Sequence, residues 1–543
     1  MNHTIISIKE PVNEPVYTYA PGSPERSVLK QELERMAGET YDIPIIIGGK
    51  EYFSGDLGNL IMPHDHCHVM GTYHKATPKL IDLAIKTAID AQREWEHIPW
   101  MERAAINLRA AELISHKYRY LLNAATMLNQ SKSVHQAEID ATCEAADYLR
   151  FNAYYMNIIY KEQPHSTKEN VNRLCYRPLE GFVFAVSPFN FTSIAANLAT
   201  APVLMGNTVV WKPSSDSILS AYYLMKLFKE AGYPDGVINF IPGSGSSVGD
   251  AVLASPDLAG IHFTGSTAVF QGIWKKTGEN ITRYRTYPRI VGETGGKNFI
   301  MVHASADLRE VATAIVRGGF EYQGQKCSAA SRVYIPSSLW PTLKKILAEM
   351  IAGIKIGDPR DFTNFMNAVI DEPAFAKIMT YIETAKNTTG TEVIFGGNGD
   401  KTTGYFIEPT MILTKDPHFI TMEEEVFGPV VTCYLYDEAD YGQALHLCDE
   451  TSPYALTGSI FARDRSAILK ASNILKNAAG NFYINDKPTG AVVGEQPFGG
   501  GRASGTNDKA GSHINLHRWV SPRAIKENLY PPTDFKYPFM QES

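Results

Sequence analysis

Between residues 181 and 303, short unbroken apolar runs alternate with helical stretches, and few folds accommodate that pattern. The runs are Phe182–Val186, 208–211, 237–241, 261–263 and 299–302, with helical texture over 193–205 and 217–231. Strands buried on both faces read as continuous apolar runs. Strand–helix repetition predicts an α/β fold on a doubly wound parallel sheet. A second alternation runs from about 308 to 493, and 543 residues suggest more than one domain. Helical spacing marks 79–128, where Ile106, Ala110, Leu113 and Ile114 recur behind Glu102-Arg103. Residues 1–75 read as irregular. The polar segment 161–180 fits a hairpin arm reaching a neighbouring subunit and a surface loop equally well. The tail 529–543, rich in Pro and aromatics, is expected to pack on something without forming a helix.

A formal net charge of −7, with no basic block, argues against nucleic acid or an anionic membrane as partner. No run approaches a membrane span of ~18 apolar residues. The first residues lack the charged-then-apolar order of a secretory leader, and no Arg precedes Arg26. A cytoplasmic protein is expected, or one of the mitochondrial matrix if a leader has been removed. The six cysteines are sparse and form no CxxC, which fits reduced thiols. Cys143, Cys175, Cys433 and Cys448 read as buried apolar fillers. His64-Asp65-His66-Cys67-His68 crowds five candidate metal ligands into one expected loop. Metal sites draw on separated segments, so no metal is expected.

The chemistry is concentrated in Gly324-Gln325-Lys326-Cys327-Ser328. A thiol in such a turn is a strong nucleophile once ionised. Glu293, in Gly292-Glu293-Thr294-Gly295-Gly296-Lys297, stands 34 positions earlier and offers a general base for water. The pair suggests thiolate addition to a carbonyl, then hydrolysis to an acid. Gly243-Ser244-Gly245-Ser246-Ser247-Val248-Gly249 follows one apolar run, and Phe263-Thr264-Gly265-Ser266 ends another. Two such strand-to-helix turns favour a dinucleotide over plain glycine turns. Lys212, in Trp211-Lys212-Pro213-Ser214-Ser215, can reach ribose hydroxyls, although a solvated lysine is the commoner case. Asn190, in Ser187-Pro188-Phe189-Asn190-Phe191, can donate to an oxyanion; a capping Asn is the ordinary alternative.

Together these motifs, with Glu424-Glu425-Val426-Phe427-Gly428-Pro429-Val430, resemble the aldehyde dehydrogenase superfamily in order and spacing. Within it the likeness is to the branch that oxidises L-glutamate γ-semialdehyde. That likeness rests on Gln136-Ala137-Glu138-Ile139-Asp140, Phe320-Glu321-Tyr322, Thr489-Gly490-Ala491-Val492-Val493-Gly494 and Gln496-Pro497-Phe498. The resemblance implies a Rossmann-type cofactor domain (1–159 with 184–294 and about 498–519), an α/β catalytic domain (295–497), and a small β oligomerisation arm (160–183 with 520–543). It implies Cys327 as nucleophile, Glu293 as base and Asn190 with the Cys327 N–H as oxyanion hole. Ser187, Pro188, Phe189, Lys212, Ser215, Gly245, Gly249, Phe263, Thr264, Gly265, Ser266, Glu425 and Phe427 would contact NAD. Ser328, Gly490 and Ala491 would anchor the substrate's carboxylate, Phe191 and Phe498 would sandwich its chain, and Glu144 would stand nearby. Strictly NAD-using relatives carry Glu where this chain has Ser215, which leaves NADP open. A homodimer or dimer-based oligomer is implied, with proline dehydrogenase as functional partner. The rival readings are a dehydrogenase for another small semialdehyde, a CoA-acylating relative, and a retired enzyme kept as a binding protein. Retention of Glu293 disfavours the second, and the full catalytic set disfavours the third.

Overall fold

The computed structural model describes residues 7–542, so the reading of residues 1–6 as free of a leader lies outside it. Two seven-stranded sheets form its frame. In the first, parallel strands run in the order Arg289–Glu293, Leu258–Thr264, Phe182–Val186, Val209–Lys212, Ile238–Phe240. An antiparallel hairpin, Ile45–Ile47 with Lys50–Tyr52, completes the edge. The chain leaves Phe182–Val186 toward one side and later returns to its other side, so the order reverses between this strand and Leu258–Thr264. Ligands of such sheets bind beyond the carboxyl ends of the strands at that reversal. Register aligns Lys212 and Phe263 with Val186, and Thr264 with Glu293, along this edge.

The second sheet runs Thr391–Phe395, Thr410–Thr414, Val430–Tyr436, Ala330–Pro336, Asn298–Val302, Thr457–Phe461, Asn481–Ile484, with only the first pair antiparallel. The α/β expectation holds, and the apolar runs became strands because they bury both faces: all five residues of Asn298–Val302 are buried. The helical stretch 79–128 resolves into Pro78–Trp95, Trp100–Ser115 and Arg119–Gln130. The first begins on Pro78, which suits a position whose N–H needs no partner, and buries Ile81, Ala84, Ile85 and Ala88 on one stripe.

Four expectations need correction. Residues 24–74 are not irregular, although 7–23 form no helix or strand. Pro24–Ala37 is a helix capped by Ser23, and 41–74 supplies five strands, three of them only three residues long and too short for a periodicity reading. The polar segment 161–180 is not a free loop. Asn170–Arg177 pairs antiparallel with Ser521–Asn528 over its whole length, so the ribbon's other strand comes from the far end of the chain. The sheet strand starts at Phe182, inside the stretch assigned to this arm. The tail does not pack within the chain: Tyr530, Phe535, Tyr537 and Phe539 are 66–82% exposed. Nor are all four filler cysteines apolar and buried. Cys175 is half-buried on the ribbon, and the Cys143 thiol lies 3.8 Å from Glu138 and 4.0 Å from Arg119. All six cysteines are unpaired.

A buried polar network ties the amino-terminal segment to the centre of the fold. Arg119 donates to Glu14 (2.7 Å), to the Pro15 carbonyl (2.8 Å) and to Glu138. Glu138 also accepts from Tyr19 and Asn123, both at 2.7 Å. This anchors the π-helical segment Glu138–Glu144, whose last residue reaches the site below. Removing one partner of a buried ion pair strands the other charge. Arg119→Ala is therefore expected to lower unfolding free energy by about 3–5 kcal/mol. Denaturant melts beside wild type will read this, and a loss below about 1 kcal/mol would show the network to be dispensable.

Candidate active site

The thiol sits where two cavities meet. After helix Leu308–Phe320, Tyr322 (φ 52°), Gln323 (φ 55°) and Gly324 (φ 67°) turn the backbone through left-handed conformations. A side chain at Gly324 would lie 2.2 Å from the Gly428 carbonyl, so only glycine fits. Two glutamines hold the strained turn. Gln323 donates to the carbonyls of Ser131 (3.0 Å) and Ala368 (2.8 Å), and Gln325 Oε1 accepts from Ile370 N at 2.9 Å. Asn298 Nδ2 then fixes the Cys327 carbonyl at 2.7 Å. The Cys327 side chain, half-buried, faces both cavities.

The first is a cleft of about 780 Å³ at the carboxyl edge of the first sheet. Ser187, Pro188, Phe189, Asn190, Lys212, Gly245, Gly249, Phe263, Thr264, Gly265, Ser266, Glu425 and Phe427 all line it. Ser215 does not: it opens the 3-10 turn Ser215–Ser217, capped by Ser214, and Ser214 faces the cleft instead. Two helices, Gly245–Leu253 and Thr267–Glu279, begin here, each capped by a serine. Nothing lies within 4 Å of where side chains on Gly245 or Gly249 would project, which leaves an open floor at the first helix start. Burial pushes the Lys212 amine down to about 8, and its only hydrogen bond among the described residues goes to its neighbour Pro213 O at 2.9 Å. Glu425 Oε1 accepts from Gly296 N at 2.8 Å. Phe189 and Phe427 meet edge to face, centroids 5.8 Å apart. Asn190 Nδ2 donates to Gln325 O at 3.0 Å, and its second N–H remains for another acceptor.

The second cavity, about 400 Å³, lies on the other side of Cys327. Glu144, Phe191, Ser328, Gly490, Ala491 and Phe498 all face it. Ser328 Oγ and Thr489 Oγ1 are 2.8 Å apart, and Gly490 takes φ +94°. Glu144 accepts from Ser193 Oγ at 2.9 Å, and burial, then the Asp140 charge, raise its carboxyl to about 8. Asp140 accepts from the N–H groups of Thr192 (2.9 Å) and Ser193 (2.8 Å) and pairs with buried Lys132 at 2.7 Å. The Lys132 amine lies 3.9 Å from the Phe191 ring centroid, so the same network seats that ring.

Glu293 ends strand Arg289–Glu293 but lines neither cavity. Its carboxyl is turned toward Gly499, where an added Cβ would lie 2.8 Å from Oε1, and Oε2 has no partner. Burial raises its pKa well above the ordinary carboxylate range, and the Lys509 ammonium only partly offsets this. The motif reading also missed Tyr148, Arg317 and Lys487 on the substrate side, and Ser246, Asp250 and Lys276 in the cleft. Tyr148 was within reach, since it stands one helical turn after Glu144, and so was Ser246, inside the 243–249 turn; the other four lie outside the quoted motifs. His64 lies in the turn before strand Asp65–His74, and the other four residues of the run lie on that strand. His64 faces Asp358 at 3.8 Å, His66 stacks on Tyr405, and His68 bonds the Ala37 carbonyl at 3.0 Å. Among the described residues no cluster could hold a metal ion.

The profile described as "Aldehyde dehydrogenase family" matches residues 56–525. The chain belongs to the aldehyde dehydrogenase family. It is 52% identical to the mitochondrial Delta-1-pyrroline-5-carboxylate dehydrogenase of Dictyostelium discoideum over 98% of this chain and 96% of that one. It is 51% identical to the enzyme of that name from Agaricus bisporus over 97% of this chain and 96% of that one. Among solved structures, the Delta-pyrroline-5-carboxylate dehydrogenase from Mycobacterium tuberculosis bound with NAD superposes with a TM-score of 0.96, at 49% identity, covering 100% of both chains. In this aldehyde dehydrogenase no described helix is long and apolar enough to cross a membrane.

Proposed function

We propose that this chain oxidises L-glutamate γ-semialdehyde, in equilibrium with Δ1-pyrroline-5-carboxylate, to L-glutamate, using NAD and a cysteine thioester. One observation carries the reading: Cys327 stands between a cleft of dinucleotide size and a small cavity lined by Ser328, Gly490, Ala491 and two phenylalanines. The names of the relatives support the same substrate. In the cleft, the open floor at Gly245 and Gly249 suits a pyrophosphate, and Lys212 and Glu425, which line it, would take the ribose hydroxyls. NAD, when bound, accepts the hydride released from the substrate carbon. The chain's own residues do the rest. The Cys327 thiol loses its proton to solvent through the open cleft, and the sulfur then adds to the aldehyde carbon, whose π pair moves onto oxygen. Asn190 Nδ2–H and the Cys327 N–H hold the oxyanion. With hydride gone, the sulfur carries a thioester. Glu293, turned in from Gly499, takes a proton from water, and hydroxide releases the acid and the thiolate.

Domain boundaries, assembly and compartment are parts of the same proposal. Two separate sheets and a ribbon support a cofactor unit, a catalytic unit and an arm, the arm ending before Phe182. The exposed ribbon and aromatic tail suit a dimer-based oligomer. Proline dehydrogenase is the proposed supplier of substrate. A cytoplasmic location is proposed with the mitochondrial matrix as rival, the latter favoured by the name of the Dictyostelium relative. The test is reduction of NAD and of NADP with pyrroline-5-carboxylate, succinate semialdehyde and butanal. The expected kcat/KM for pyrroline-5-carboxylate exceeds that for butanal by at least about 100-fold, because butanal leaves the carboxylate donors unpaired. Equal values would overturn the substrate.

A further inference from the structure

We propose that Lys487 is a specificity-determining residue that reads the carboxylate at the substrate's far end, an inference that rests on the substrate assigned above. Lys487 and Arg317 line the substrate cavity and also an adjoining surface cleft of about 470 Å³, so they stand at the cavity's mouth. A methyl group on Gly490 would lie 3.2 Å from Lys487 Nζ, which places the amine directly over the backbone proposed to anchor the carboxylate. Lys487 Nζ has neither an ion-pair nor a hydrogen-bond partner among the described residues. Its neighbour Asp486 is turned back to accept from the Lys487 backbone N–H at 2.7 Å.

The other charges nearby do not neutralise it. Glu321 is occupied by Lys326 at 3.4 Å and by Gln136 Nε2 at 3.2 Å, Glu144 by Ser193 Oγ, Glu310 by Arg463, and Asp307 by the N–H groups of Arg309 and Glu310. Lys487 and Arg317 therefore remain uncompensated beside an already balanced pair. The aldehyde must reach Cys327 at the inner end, so the amino-acid head faces outward, toward Gly490, Ala491 and this amine. An ammonium on a flexible four-carbon stem can follow the carboxylate inward. A simple aliphatic aldehyde gains nothing from this pairing.

The experiment compares wild type, Lys487→Met, Lys487→Gln and Lys487→Arg, each checked for an unchanged thermal midpoint. Two quantities are read: the ratio of kcat/KM for pyrroline-5-carboxylate to that for butanal, and the affinity for L-glutamate by calorimetry. The ratio is expected to fall about 10- to 100-fold in Lys487→Met and Lys487→Gln, through KM rather than kcat, with glutamate binding weakened similarly. Lys487→Arg should keep most of the ratio. A neutral variant that keeps the wild-type ratio and glutamate affinity overturns the role, as does an equal loss on both aldehydes. A wild type without preference for pyrroline-5-carboxylate overturns the substrate assignment instead, and glutamate binding then decides Lys487 alone.

Discussion

Cys327→Ala is expected to lower aldehyde oxidation by ~10⁴-fold or more, with a thermal midpoint close to wild type. The loss is large because no other thiol stands where the two cavities meet: Cys67 is exposed elsewhere, Cys175 is on the ribbon, and Cys143, Cys433 and Cys448 are buried. The fold survives because the turn is held through backbone carbonyls and the amides of Gln323, Gln325 and Asn298, none of which needs the sulfur. Burial, with the charges of Glu293 and Glu425, holds the Cys327 thiol far above its ordinary range. A raised thiol pKa leaves the neutral form dominant at neutral pH. Alkylation of Cys327 should then quicken roughly tenfold per pH unit across the neutral range. Turnover of the alanine variant within about tenfold of wild type would remove Cys327 from the chemistry.

Glu293→Gln should cut steady-state turnover by about 10²–10⁴-fold while retaining a first-turnover burst of reduced nicotinamide near one per site. The amide keeps the shape of the carboxyl but cannot take a proton from water, so the thioester forms and then waits. Rapid-mixing kinetics separate the two phases, and a normal steady state would exclude Glu293 as the hydrolytic base. Because burial raises its pKa, the carboxyl is protonated at the low end of the pH range, and wild-type deacylation should climb with pH. That rising limb should vanish in Glu293→Gln.

Much of the site was legible because its residues lie in compact turns. Ser187–Phe191, Phe263–Ser266 and 324–328 each lie at the end of a strand or helix, so a local pattern named several cavity-lining residues at once. Ser215 misled because adjacent serines look alike in sequence, while a 3-10 turn sends one to the cleft and the other away. Lys487 was invisible because its meaning comes from its height over Gly490 and from where Asp486 turns, neither of which is a spacing. The ribbon partner of Asn170–Arg177, some 350 residues away, lay beyond any periodicity window, and only the family resemblance joined 160–183 with 520–543.

By itself the amino-acid order settled the α/β class, the aldehyde dehydrogenase likeness and the candidate nucleophile, because burial pattern and turn chemistry are written within a dozen neighbours. Sheet order, the meeting of two cavities at one sulfur, the withdrawn pose of Glu293 and the unpaired amine at the cavity mouth came only with tertiary packing. These depend on which distant segments exclude water from one another, and that choice is made by the whole core at once.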